Sequence, residues 1–288
     1  MLPAPIAADV LKTQPTSPQE IGGSRYPPVA QRCTETNRRG GVPVAVNLAS
    51  SSGSRCLLAG FVAYGRCAVR PPSRIKDCPV KYEDRSEAAK LTGVPSIALL
   101  FRYLSASRPV TIAQIEGRAR GAGSEFALAC DMRFAARESA IFSQIESAFG
   151  QLPGGGAIQH LVRLMGCGRA LEVLLSADDY DAELAERYGW INRALNANEL
   201  SSFVRSLAHR IARSPSAGQA VVKERVNAIA LAPVEDFRRD SDLFGESANK
   251  PEVQSRIHAA MELGFQTREA EMSLAKMLGE LGDHGSNP

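Results

Sequence analysis

Two glutamates draw attention because each is set beside a glycine-rich turn. The first lies in Glu116-Gly-Arg-Ala-Arg-Gly-Ala-Gly-Ser-Glu-Phe-Ala-Leu-Ala-Cys-Asp131, where Gly121, Ala122 and Gly123 precede Glu125. The second, Glu146, closes Ala140-Ile-Phe-Ser-Gln-Ile-Glu146 and is followed by Phe149-Gly150 and by Leu152-Pro-Gly-Gly-Gly-Ala-Ile-Gln159. A glycine-rich turn that leads into a helix presents unpaired backbone N–H groups, and the helix dipole favours negative charge there. Such a turn suits an oxyanion developing on a carbonyl substrate. Two carboxylates beside it can divide general acid and general base work. Each feature alone also has a plain structural reading. Glu125 then serves as a dipole-favoured carboxylate in a first helical turn, and Glu146 as a surface carboxylate at a strand end.

Other chemistries fit less well. The dinucleotide fingerprint is not met, because Phe126 stands where Gly121-x-Gly123 needs its third glycine. Gly154-Gly155-Gly156 is not a phosphate loop, since no Gly-Lys-Ser/Thr follows. Ser124 adjoins Glu125, but none of His160, His209, His258 and His284 is placed to complete a triad. His160 reads as a packed or solvated residue. The six cysteines show no CxxC pair and no zinc spacing, which predicts free thiols in a reducing compartment and no structural metal. Cys130 and Cys167 read as small packing residues.

The elements that must position the glutamates are legible from residue 83 onward. Ser86–Lys90 and Ser96–Ser105 look helical, the latter with Ile97, Leu100, Phe101 and Leu104 on one face. Pro109–Ile115 reads as a buried strand, Phe126–Cys130 as a helix leaving the glycine turn, and Met132–Ala136 as a strand. Helices are expected at Ala157–Met165 and Arg169–Leu175, and a strand at Tyr188–Leu195. Amphipathic helices follow at Ser201–Ala212, Ala217–Ala230, Pro251–Leu263 and Glu269–Leu281. Strands alternating with helices imply an α/β domain with a mainly helical C-terminal third.

Residues 1–82 have another texture. They hold eleven Lys or Arg against four Asp or Glu, ten of the seventeen prolines and four of the six cysteines. The whole chain carries a net charge of only +3, so the basic excess is confined to this segment. Paired prolines and glycines break every long element there. Val42–Leu48 and Leu57–Tyr64 are apolar enough for short strands, but neither has periodicity that would place it in a sheet. The segment is expected to be irregular or partly disordered. A transit peptide is argued against by the first twenty residues, where Lys12 is the only cation. A nucleic-acid-binding arm is argued against by the lack of interleaved aromatics or a known module. No apolar run approaches the roughly 18–20 residues that span a bilayer, so no membrane association is expected.

The blocks Pro109–Asp131 and Ala140–Gln159, together with Gly168–Ser176 and Ala182–Asn192, stand in the order found in the enoyl-CoA hydratase/isomerase (crotonase) family, and the chain resembles that family from about residue 83. The resemblance implies a crotonase-like spiral of ββα units. It divides the chain into 1–82 as an atypical segment, 83–230 as the core and 231–288 as a C-terminal helical region. It implies an acyl-CoA thioester as substrate, with coenzyme A as part of that substrate and no separate cofactor. It also implies a cytoplasmic homotrimer or dimer of trimers. Carried over by position, Glu125 and Glu146 become the two catalytic carboxylates, and Ala122 donates a backbone N–H to the thioester oxygen. Gly121, Gly123 and Gly154 complete the substrate-binding turns. The implied activity is hydration of a 2-enoyl-CoA; isomerase, thioester hydrolase and a catalytically dead remnant are the alternatives. The family's second oxyanion donor is expected at residues 72–79, but Pro72-Ser-Arg-Ile-Lys-Asp-Cys-Pro79 matches it only at Asp77. A shifted reading frame or mis-joined exon before residue 83 would account for both the composition and the missing loop.

Overall fold

The computed structural model describes residues 44–48 and 96–281. The expected helix at 86–90, the strand at 57–64 and the donor loop at 72–79 lie outside the described residues. The chain runs through β1 (Val44–Leu48), α1 (Ile97–Ala106), β2 (Thr111–Ile115), β3 (Arg118–Arg120), α2 (Ala122–Ala129), β4 (Met132–Ala136) and β5 (Ile141–Ser143). A 3-10 turn, Glu146–Phe149, leads to α3 (Ala157–Met165), α4 (Cys167–Ser176), β6 (Tyr180–Asp181), α5 (Ala182–Tyr188) and β7 (Arg193–Leu195). Six helices follow: α6 (Ala197–Ala212), α7 (Ser216–Ala230), α8 (Val234–Ala248), α9 (Pro251–Glu262), α10 (Arg268–Met272) and α11 (Leu274–Glu280). No helix among the described residues is long and apolar enough to cross a membrane.

The strands form two sheets, one all-parallel in the order β1-β2-β4-β7 and one in the order β3-β5-β6. In the second sheet β3 and β5 are parallel and β6 is antiparallel. β2–β3–α2 and β4–β5–α3 are successive ββα repeats, each giving its first strand to one sheet and its second to the other. This is the expected architecture. Val44–Leu48 is a strand as its apolar character predicts, and it pairs in register with Thr111–Ile115. The sheet position, which no periodicity disclosed, comes from that partner. β2 is buried along its whole length, as a parallel strand covered on both faces must be.

The main core lies between the sheets and α2–α5. Phe142 and Trp190 are fully buried at its centre, with ring centroids 5.6 Å apart. At the end of α2 the core encloses a charge. The Arg133 guanidinium, from β4, donates to the carbonyls of Cys130 at 2.7 Å, of Trp190 at 2.9 Å, and of Ala127 and Leu128 at 3.4 Å. It thereby supplies the donors that the last turn of α2 lacks within the helix.

Several boundaries differ from the sequence expectation. α2 begins at Ala122 rather than Phe126, because Gly121 takes a φ of +50° and the helix starts directly after it. The strand expected at 188–195 shrinks to Arg193–Leu195. Gly189, at φ +84°, closes α5, and the Trp190 N–H turns back to the Ala185 carbonyl at 2.9 Å. The last expected helix is split at Ser273. α8 falls in the expected C-terminal helical region, but no helix was expected at its own position. Its buried apolar contact is a single residue, Phe237, set among charged neighbours, so the periodic signal is thin.

Replacing Arg133 by Met should leave those carbonyls unpaired in an apolar setting. The expected loss is about 3 kcal/mol, as for hydrogen bonds to a charged group. Urea unfolding followed by the fluorescence of Trp190, the chain's one tryptophan, measures it.

Candidate functional site

The sequence folds the two glutamates towards one turn by way of strand register. Arg120 pairs with Ser143 across the parallel β3–β5 ladder, so both strands end at the same place. Beyond β3 the chain enters Gly121, whose N–H donates to the Ser143 carbonyl at 3.0 Å. Beyond β5 it passes through Gln144 and Ile145 to Glu146. A Cβ on Gly121 would stand 3.1 Å from Glu146 Oε1, so the carboxyl lies directly over this glycine. Gly121 caps α2 without any side-chain bond, and the first N–H groups of the helix, from Ala122 on, have no partner within it. Gly121 and Gly123 are buried, while Ala122 is half-exposed at the start of the turn.

Glu125, one helical turn later, is 3% exposed. Its Oε1 accepts from the N–H of Gly155 at 2.7 Å and of Ala157 at 3.2 Å, at the N-terminus of α3. A Cβ on Gly155 would fall 2.3 Å from Glu125 Oε2, so any other residue there would collide with the carboxylate. The adjoining glycines serve different neighbours. Gly154 is pressed against Phe244 and Gly156 against Phe237, both from α8. Gly154 therefore makes the loop's packing contact with α8, and Gly155 is the glycine that faces a glutamate. Sequence reasoning named the first and passed over the second. The Glu125-facing position follows only from knowing which way each Cα points.

Both carboxyls titrate above the ordinary range. Glu125 is raised to about 7, by burial first, against the lowering effect of the Gly155, Ala157 and Gly156 N–H groups; the Asp240 charge raises it slightly. Glu146 is half-buried, with Oε2 shut off from solvent. It is raised to about 8, by burial first and by the charge of Glu125 second. The two behave as a coupled pair in which ionising one hinders the other. Asp240, from α8, is a further site neighbour that the sequence did not disclose. Its Oδ2 accepts from Gln159 Nε2 at 2.6 Å. His160 packs edge-on to Phe237 at 5.7 Å, and burial lowers its pKa to about 3, so it is a neutral packing residue as expected. Ser124 is fully buried. The arrangement can hold one proton between two carboxyls beside a turn of free N–H donors.

Known proteins resemble the chain over this same region. A family model described as enoyl-CoA hydratase/isomerase matches residues 82–266. A solved structure from Streptomyces avermitilis, provisionally assigned as an enoyl-CoA hydratase, is 50% identical with a TM-score of 0.64, covering 65% of this chain and 68% of that one. Crotonyl-CoA hydratase of Syntrophomonas wolfei is 40% identical over 124 residues, 43% of this chain and 46% of that protein. A mitochondrial protein of Dictyostelium discoideum, named a probable enoyl-CoA hydratase, is 28% identical over 248 residues, 81% of this chain and 89% of its own length. That last span is longer than residues 83–288, so the pairing extends upstream of residue 83. The chain spans about half the length of several other curated relatives that it matches, 48% of two mycobacterial proteins named probable enoyl-CoA hydratase and 46% of the Syntrophomonas wolfei enzyme.

The raised carboxyls set a stability trend whose sign is fixed. A carboxyl with a folded pKa above its unfolded value stabilises the fold fully below the unfolded value, near 4.5. That contribution is lost as pH rises through about 7 to 8. Glu146→Gln should therefore melt about 2–4 °C above the parent chain at pH 8 and no higher at pH 4.5. Thermal unfolding at the two pH values tests the trend, and an equal shift at both would contradict it.

Proposed function

The chain belongs to the enoyl-CoA hydratase/isomerase family, and on that premise we propose that it adds water across the double bond of a 2-enoyl-CoA thioester. The observation that carries this reading is the pair Glu125 and Glu146 on two sides of one glycine turn, with both pKa values raised into the neutral range. Near pH 7 such a pair holds about one proton. Glu125 carries the negative charge, since two backbone N–H groups stabilise its ionised form. Glu146 carries the proton.

Water held between them attacks Cβ while Glu125 takes one of its protons. The π electrons move to Cα and are delocalised onto the thioester oxygen as an enolate. The Ala122 N–H, at the dipole-positive end of α2, stabilises that oxygen; a preorganised donor of this kind is worth about 3–4 kcal/mol. Glu146 then delivers its proton to Cα, which gives the 3-hydroxyacyl-CoA. Proton transfer between the carboxyls restores the starting state. The second donor expected at 72–79 lies outside the described residues. A homotrimer or dimer of trimers belongs to the same reading. It is supported by the apolar side chains of Val222, Val226 and Ile229 on α7, the last 84% exposed, which a solitary chain would leave in water.

Crotonyl-CoA hydration, followed by loss of the conjugated thioester absorbance, tests the proposal. Glu125→Gln and Glu146→Gln should each lower kcat by about a hundredfold or more while the proteins stay folded. Retained turnover in either variant would remove that glutamate from the mechanism. Conversion of a 3-enoyl-CoA without hydration would move the reading to isomerisation. The kcat profile should also be bell-shaped, with its maximum between about pH 7 and about 8. At lower pH the pair has no base and at higher pH no acid.

A further inference from the structure

The residue just before the glycine turn is a buried arginine. Arg120 ends β3 and is 3% exposed, yet its guanidinium meets carboxylates from two distant parts of the chain. Its Nε and Nη2 donate to Asp179 Oδ1 and Oδ2 at 2.8 and 2.6 Å. Its Nη1 donates to the Glu271 carbonyl at 2.7 Å and to Glu271 Oε2 at 3.1 Å. Asp179 precedes β6, and Glu271 lies in α10. A two-pronged guanidinium–carboxylate contact fixes the plane of the group as well as its distance. Burying an ion pair is weak evidence for added stability, since apolar packing often does as well. Defining a position is the service that the apolar alternative cannot supply here.

The position defined is that of the turn. Gly121 is held on one side by its hydrogen bond to Ser143 and on the other by the anchored side chain of its neighbour. The C-terminal helices also brace the opposite wall. Phe149, at the end of the turn that carries Glu146, packs in one apolar cluster with Ala260, Ala270 and Leu274, and its ring lies 5.3 Å from that of Phe265. Arg256 of α9 donates to the Ala148 carbonyl at 3.0 Å. Ala270 and Glu271 are adjacent in α10, the first a member of the cluster that holds Phe149 and the second a partner of the Arg120 side chain.

We propose that Arg120 is a positioning residue that, through Asp179 and Glu271, ties the C-terminal helices to the glycine turn and sets its N–H groups relative to Glu146. The assignment rests on the acyl-CoA reading of this site. Arg120 touches no reacting atom. It acts by fixing the backbone from which Gly121 and Ala122 leave β3.

The test uses the full chain with Arg120→Lys and Glu271→Gln. Lysine keeps the charge but cannot form the fork, so a purely electrostatic role survives it and a positioning role does not. Arg120→Lys should fold and melt close to the parent, with kcat down about tenfold or more and KM changed less than about threefold. Hydrogen exchange should rise in residues 118–125 and 145–149 while α6 keeps its protection. Glu271→Gln should show the same pattern more weakly. Parental kcat in Arg120→Lys, or a loss that only tracks the unfolded fraction, would overturn the assignment. A parent chain inactive on crotonyl-CoA would count against the hydratase reading alone, and the exchange data would then decide. A rise at both segments sustains the positioning role, and unchanged protection there sinks it.

Discussion

The site depends on how a carboxylate is kept in the interior. Glu125 is shut away from water, and an ionised carboxylate there needs hydrogen bonds in place of the solvent it has lost. The donors are the N–H groups of Gly155 and Ala157, and they can reach it only because position 155 has no Cβ. The neighbouring glycines answer to other contacts, Phe244 at 154 and Phe237 at 156. The triple glycine is therefore a single packing solution with two sides. α8 presses on one side of the loop so that the carboxylate can approach the other. At the far end of α2, Arg133 fixes the helix from which Glu125 projects. The Glu125 carboxylate is gripped at its tip and at the base of its support.

The grip does not cancel the cost of burial. Desolvation is the largest influence on both glutamates and outweighs the hydrogen bonds to Glu125, so the pair stays above the usual carboxylate range. The same imbalance keeps one proton on the pair near neutral pH and makes the site a source of instability there. The raised proton affinity of the pair and the strain against the fold come from one physical cause. A carboxyl at Glu146 moved into water would relieve the strain and lose the proton.

The sequence disclosed the parts of this site that are local and hid those that are not. Glu125, Glu146 and the glycine turn were legible because a helix start, a turn and a charged residue lie within a few positions of each other. Long strands and most helices were legible from periodicity. β3, β5 and β6 were missed because strands of two or three residues exist through their partners rather than through any pattern of their own. α8 was missed because Phe237 and Phe244 are spaced among Glu235, Asp236, Arg238, Arg239 and Asp240, which read as a solvated stretch. In sequence Arg120 looks like an ordinary turn cation and Arg133 like an ordinary strand cation. Their burial is decided by partners up to 151 residues away.

Topology explains why separate motifs meet. Each ββα repeat sends its second strand into the smaller sheet, and β3 and β5 lie there in parallel register. Parallel strands end on the same side, so whatever follows β3 must lie beside whatever follows β5. The glycine turn follows the first and the Glu146 segment follows the second. An antiparallel arrangement would have placed them at opposite ends of the sheet, however well each motif was kept. The convergence of turn and carboxylate is thus a consequence of strand direction, and the Gly121 to Ser143 hydrogen bond is the first contact that this direction allows.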